Sequence, residues 1–193
     1  MSDGIFKEEA WAKLERPERL KHLNPHETLV RLGLKAGDRF ADLGSGTGVF
    51  VLPALALVGE SGAVYAVERS QKLIDRMLAQ LPEVPETLKV VQQDLMALKW
   101  QGAPVDKALL CHVAHELPDL AVFLSILRGI MAPGGRLAVI EWQAKEQPQG
   151  PPLHKRLSEA QMTAVLTDSG WEPELTEPLG EDYYLIAASV KGL

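Results

Sequence analysis

The 193-residue sequence holds one cysteine, Cys111. An intrachain disulfide is therefore excluded, and so is a thiolate metal site, which draws on several cysteines. Positive charge is also short: 20 Lys and Arg stand against 26 Asp and Glu, a formal net charge of −6. Neutralising a phosphate backbone takes clustered cations, so nucleic acid is disfavoured as a partner. No apolar run approaches the ~18 residues of a membrane-spanning helix. The opening MSDGIFKEEAWAKLERPERLK is charged and amphipathic, without the apolar stretch or small-residue cleavage site of a secretory signal. A cytoplasmic protein with no metal and no membrane span is the expectation. With 46% hydrophobic and 24% charged residues, the chain has the composition of a packed globular protein. Its length suits one domain over residues 1–193, with residues 1–23 as a helical amino-terminal extension.

What is present alternates between strand and helix. Asn24-Pro25 reads as an N-cap and first helical residue, opening a helix to Leu32 that stops at Gly33. A short apolar strand ends near Leu43, and a helix pattern covers Val49 to Val58. Strands are expected at Ala63–Val67, Leu88–Val91 and Val105–Cys111. Ser70 caps a helix over Gln71 to Leu81, with Leu73, Ile74, Met77 and Leu78 at helical spacing. A further helix is expected from Leu117 to Met131. A Pro133-Gly134-Gly135 turn and a strand from Arg136 to Trp142 follow. After a Pro/Gly-rich loop at Gln147 to Pro152, Ser158 caps the last helix, which ends near Ser169-Gly170. Trp171–Glu177 and Tyr183–Val190 then form two strands around Gly180. Alternation of this kind implies a parallel sheet with helices on both faces. The last two strands are too close in sequence for a crossover, so they should form an antiparallel hairpin at the sheet edge.

Between the first strand and its helix lies Leu43-Gly44-Ser45-Gly46-Thr47-Gly48. Gly44 suits a tight turn, Gly46 a close approach of backbone to ligand, and Gly48 close helix–strand packing. The helix that follows presents unpaired N–H groups to an anion. The dinucleotide fingerprint places its glycines at positions one, three and six, whereas here they fall at one, three and five. Glu68 ends the second strand, where a carboxylate can accept from both ribose hydroxyls. Asp94 ends the third strand, either to accept from an exocyclic amine or to cap a helical turn. Cys111-His112 ends the fourth, and a cysteine in that apolar setting reads as a small buried residue.

Taken in order, these segments resemble the class I S-adenosylmethionine (SAM) dependent methyltransferases. DLGSGTG is similar to their first motif, Glu68 to the acidic second and Asp94-Leu95 to the third. VDKALLCHVAHELPD is similar to the fourth-strand motif and LRGIMAPGGRLAVIEW to the helix–turn–strand after it. The likeness runs from about Asn24 to Lys191. RPERLKHLNPHETLVRLGLKAGDRFADLG and GPPLHKRLS resemble a bacterial subgroup of the small methyltransferases of the ubiquinone/menaquinone biosynthesis type. The resemblance implies a Rossmann-like, seven-stranded, mostly parallel sheet with an antiparallel carboxy-terminal hairpin. It implies SAM as cofactor, S-adenosylhomocysteine as product and a small-molecule acceptor that the sequence does not name.

It also implies residue roles. Asp42 would orient the loop or meet the methionine amino group. Gly44, Ser45, Gly46 and Gly48 would lie against the methionyl part and sugar, with Glu68 on the ribose. Asp94 and the Leu95 backbone would meet the adenine, and Cys111 and His112 would lie beside the sulfonium. For proton removal from the acceptor the candidates are His115, an imidazole, and Glu116. The competing readings make them helix-terminal residues. Residues 1–23, with Phe6, Trp11 and Leu14, and the loop before His154, Lys155 and Arg156 are expected either to cover the acceptor or to be solvated connections. Two other functions stay open: a SAM-binding module without transfer activity, and a nicotinamide oxidoreductase, which the glycine spacing opposes. The sequence assigns no oligomeric state.

Overall fold

The computed structural model describes residues 11–191; Phe6 lies outside the described residues. Two short helices, α1 (Trp11–Leu14) and α2 (Pro17–Leu23), precede α3 (Pro25–Leu32). The chain then runs β1 (Arg39–Leu43), α4 (Val51–Val58), β2 (Ala63–Val67), α5 (Gln71–Leu78), β3 (Leu88–Val91) and β4 (Val105–Cys111). It continues through α6 (Leu120–Arg128), β5 (Met131–Trp142), α7 (Glu159–Asp168), β6 (Trp171–Leu179) and β7 (Tyr183–Val190). All seven strands join one sheet in the order β3-β2-β1-β4-β5-β7-β6. The first five are parallel, and β7 runs antiparallel between β5 and β6. This is the Rossmann-like sheet with the expected terminal hairpin.

The strands read as near-continuous apolar runs because both faces are covered. Phe40, Leu109 and Ile140 pack with Leu29, Val51, Ala54 and Met77 of α3, α4 and α5 on one face. Leu43, Leu110 and Val139 pack with Phe123, Leu124, Met162 and Leu166 of α6 and α7 on the other. Trp171 is fully buried there, and its indole N–H donates to the Leu124 carbonyl at 3.3 Å. The chain leaves β1 on the β2 side and returns on the far side of β1 as β4. A crevice opens outside the carboxyl ends of β1 and β4, where open α/β sheets bind ligands.

Several element boundaries differ from expectation, among them the start of α4 at Val51 rather than Val49 and the end of β6 at Leu179 rather than Glu177. Asn24 is not a side-chain N-cap: at φ 37° it is the left-handed residue that ends α2, its N–H donating to the Leu20 carbonyl. An N-cap side chain needs an extended backbone. The helix expected from Leu117 begins at Leu120. Leu117 precedes a proline and is pushed to an extended backbone, and Asp119 Oδ1 caps the helix by accepting from Val122 N–H at 3.0 Å. That helix ends at Arg128, because Met131 already pairs with Val105 as the start of β5. The Pro133-Gly134-Gly135 segment is thus a bulge within β5, with Gly134 at φ 71°. Helix α5 stops at Leu78, short of Leu81.

Candidate functional site

The carboxyl ends of β1 to β4 surround a cavity of about 590 Å³. The glycine loop forms its floor. Gly44 and Ser45 donate backbone N–H groups to the Val67 carbonyl at 2.8 and 3.0 Å, tying the loop to the end of β2. Gly44 sits at φ 84°, and a Cβ there would lie 2.6 Å from Val113 Cγ2, so a side chain is excluded twice over. Gly48 also has positive φ, but its missing Cβ faces Met77 of α5 at 2.5 Å. It is a packing residue that lets α5 approach the loop, and unlike Gly44 and Gly46 it is not in the cavity wall.

Acidic residues end three adjacent strands. Glu68 is nearly buried, and its carboxylate accepts from Gly46 N–H at 3.0 Å and from Ser70 N–H at 2.8 Å. Two of about four acceptor positions are used, leaving capacity for a ligand diol. Asp94 Oδ1 accepts from Met96 N–H at 2.9 Å, capping the turn Leu95–Ala97, and Oδ2 stands 3.5 Å from Arg69 Nη1. The capping role is realised, and the exposed carboxylate still lines the cavity beside Leu95. Asp42 is 2% exposed in the same wall, and its carboxylate makes no hydrogen bond among the described residues. Burial first, and then the Glu68 charge, push its carboxyl up to about 7, with Arg19 pulling the other way. Ser45 Oγ is buried without a partner among the described residues. A glycine floor that leaves room for a ligand, a free carboxylate and a carboxylate for a diol fit a ligand that carries both a ribose and a cation, as SAM does.

At the end of β4 the Cys111 thiol is pushed up to about 12 by burial, which leaves it protonated and unreactive at neutral pH. His112 adopts φ 58°, a left-handed backbone rare outside glycine. Its ring lies between Trp142 and Tyr183, with centroids 5.2 and 4.6 Å away. Burial holds the imidazole neutral, its basicity well below the usual histidine range. Arg19 Nη2 donates to Nδ1 at 3.2 Å and approaches Cys111 Sγ at 3.7 Å. Arg19, Trp142 and Tyr183 are site-forming residues that sequence reasoning missed. Arg19 lies 93 positions from His112, and no local pattern links them.

The two candidate bases separate. Glu116 is half-exposed in the cavity wall. His115 is not in the wall. Its Nδ1 faces the buried Glu141 carboxylate at 2.9 Å, and its Nε2 stands 4.0 Å from Glu116. The amino-terminal segment does reach the site. Leu14 of α1 would meet a Cβ on Gly46 at 3.5 Å, and Arg19 of α2 crosses to β4. The loop after β5 is gathered around Arg156, which is 8% exposed. Among the described residues no cluster of three metal-ligating side chains occurs, and no helix is long and apolar enough to cross a membrane.

Sheet order, glycine loop and strand-end acids together define the class I, SAM-dependent methyltransferase fold. Residues 41–139 match the family model described as "Methyltransferase domain". The chain belongs to that family. It is similar to a demethylmenaquinone methyltransferase of Lactococcus lactis, 28% identical over 60% of this chain and 46% of the relative. A 2-phytyl-1,4-naphtoquinone methyltransferase of Synechococcus elongatus is 28% identical over 59% of this chain and 50% of its own length. The chain thus spans about half the length of the curated relatives it matches. A SAM-dependent methyltransferase of Aquifex aeolicus superposes with a TM-score of 0.86 at 26% identity, over 94% of this chain and 97% of the other.

Proposed function

We propose that the chain transfers the methyl group of SAM to a small-molecule acceptor. The observation that carries this reading is the single cavity joining the glycine loop, Glu68, Asp94 and Cys111-His112 at neighbouring strand ends. When bound, SAM supplies a methyl group already activated on a sulfonium. Glu68 holds the ribose through its unused lone pairs, and Asp94 and Leu95 meet the adenine. Asp42 attracts the methionine ammonium. The glycine loop leaves room for the chain between these ends. What remains for the protein is to align an acceptor and exclude water. Glu116 is the carboxylate available in the wall to take a proton from it.

A quinone-type ring is the acceptor class we propose, since the relatives named above carry that substrate class in their names. Calorimetry of the purified chain with SAM and with NAD tests the donor. SAM binding, weakened at least about tenfold in Glu68→Ala by the loss of charge-assisted bonds, is the expected result. Preference for NAD sinks it. Mass spectrometry of methyl incorporation from labelled SAM into reduced naphthoquinones then tests the acceptor. Donor binding without label in any metabolite pool points instead to a noncatalytic SAM-binding module.

A further inference from the structure

Asp42 and Arg19 are charged side chains of the cavity wall left without an opposite charge in contact among the described residues; Glu68 and Lys72 also have none, but Glu68 is bonded to two backbone N–H groups and Lys72 is exposed. Asp42, at the end of β1, has no cation within 4 Å among the described residues, and neither has Arg19 a carboxylate. The Arg19 guanidinium spends its donors on neutral acceptors: the Leu14 carbonyl at 2.7 Å, the Cys111 thiol and the His112 ring. A guanidinium has five N–H groups and is built for two-pronged bonding to a carboxylate. Leaving it on neutral partners inside a cavity gives up most of what it can do.

Strand order says which part of a ligand these two charges meet. Glu68 and Asp94 end β2 and β3 on one side of the glycine loop. The adenosine belongs there if the proposed reading holds. Asp42 and Arg19 mark the other end, at β1 and β4, where the donor's amino-acid moiety must lie. That moiety is a zwitterion. One free carboxylate and one free guanidinium in the same wall are its complement.

Resting on that reading, we propose that Arg19 binds the α-carboxylate of the donor opposite Asp42, and that this bond draws α2 down as a donor-dependent cover. The segment is already tethered at its rims. Arg76 of α5 donates to Glu15 at 2.7 Å, and Arg16 donates to Gln149 of the loop after β5 at 3.0 Å. The carboxyl-terminal end of α2 is fixed, with Leu23 buried in the core and the His22 ring against Tyr183, so the neutral bonds of Arg19 are what hold its preceding turn over the ends of β1 and β4. Exchanging them for a charge-assisted pair couples the donor to the position of α2. The Trp142 and Tyr183 rings keep His112 in place while Arg19 changes partner.

The test compares two ligands that differ in the amino-acid moiety. S-adenosylhomocysteine carries the zwitterion, and 5′-methylthioadenosine lacks it. Calorimetry on the full chain should show Arg19→Gln weakening S-adenosylhomocysteine by about tenfold to a hundredfold, the loss of a charge-assisted pair. 5′-Methylthioadenosine should bind wild type and variant within about twofold. Hydrogen exchange on wild type, which needs no variant to fold, should show α2 protected by S-adenosylhomocysteine and not by 5′-methylthioadenosine at matched saturation. Equal weakening of both ligands, no weakening of either, or equal protection of α2 by both overturns the proposal while leaving the donor reading intact. If neither ligand binds wild type, the donor reading falls and this proposal falls with it.

Discussion

Glu141 holds His115: its Oε2 lies 2.9 Å from the imidazole Nδ1, with 2% and 8% of the two side chains exposed. A carboxylate only accepts, so Nδ1 carries the proton and donates. The same carboxylate also accepts from the backbone N–H of His115 and of Trp142, at 3.3 and 3.2 Å. It therefore fastens the turn after β4 to the end of β5. Glu141→Ala should lower stability by about 3–5 kcal/mol, the range for breaking a buried pair on one side. His115→Asn should also lower the melting temperature. Thermal unfolding beside turnover separates this role from direct proton transfer. A His115→Asn protein that melts like wild type but has lost turnover would restore His115 as a base.

With Asp42 on the donor ammonium, as proposed, donor binding should depend on pH. Its carboxyl ionises at about 7 in the fold against an ordinary value of 3.8. The fold therefore favours the protonated form. The associated stability is complete below the ordinary value and is lost as pH rises through about 7. Asp42→Asn should leave the ligand-free protein more stable than wild type at about pH 8, with a flatter stability profile between about pH 4 and pH 8. Affinity runs the other way, because an ammonium needs the carboxylate. SAM should bind wild type more tightly as pH rises from about 6 to about 8, while Asp42→Asn binds weakly at both. Calorimetry and chemical denaturation at the two pH values check both signs. A pH-independent affinity would remove Asp42 from the ammonium site.

Two glycines of one loop should fail differently. A Cβ at Gly48 meets Met77 Cγ at 2.5 Å, whereas one at Gly46 meets nothing nearer than Leu14 Cδ1 at 3.5 Å. Both have positive φ, so alanine strains the backbone at either by about 1–2 kcal/mol. Overpacking adds about 1–3 kcal/mol at Gly48 alone. Gly48→Ala should lose more stability in denaturant, and Gly46→Ala should lose more SAM affinity. Equal loss of stability in the two would show that Met77 yields without cost.

These cases show which parts of the molecule the sequence makes legible. The strands Ala63–Val67, Leu88–Val91 and Val105–Cys111 have the expected limits. Their ends are marked by turn residues, and in Ala63–Val67 burial on both faces leaves no ambiguity of period, although the edge strand Leu88–Val91 is exposed at Lys89 and Val90. Helix limits drift where a local device intervenes, as Pro118 and Asp119 move the start of α6 from Leu117 to Leu120. The glycine turn and the acids at the ends of the first three strands, which line one cavity, are readable because they are local. Partners from afar are not. Glu141 lies 26 positions from His115, and Arg19 93 positions from His112. Single residues at such separations carry no periodic signal, and only the folded sheet brings them together.

Arg156 decides whether the loop after β5 is a free connection or a latched one. Its Nε donates to the Pro151 carbonyl at 2.8 Å and its Nη2 to that of Gln149 at 2.7 Å. Its Nη1 reaches the Lys145 and Gln143 carbonyls at 2.7 and 3.3 Å, and the guanidinium lies 5.5 Å from the Trp142 ring centroid. A planar fork with fixed directions serves four carbonyls at once, whereas an ammonium on a flexible stem does not. Arg156→Lys keeps the charge but should release the loop. Lys145, exposed within it, offers trypsin a cleavage site. Wild type should resist cutting after Lys145 under native conditions, and Arg156→Lys should be cut at least about tenfold faster, as expected when about 1.4 kcal/mol or more of holding energy is lost. Equal cleavage rates would make the loop a solvated connection.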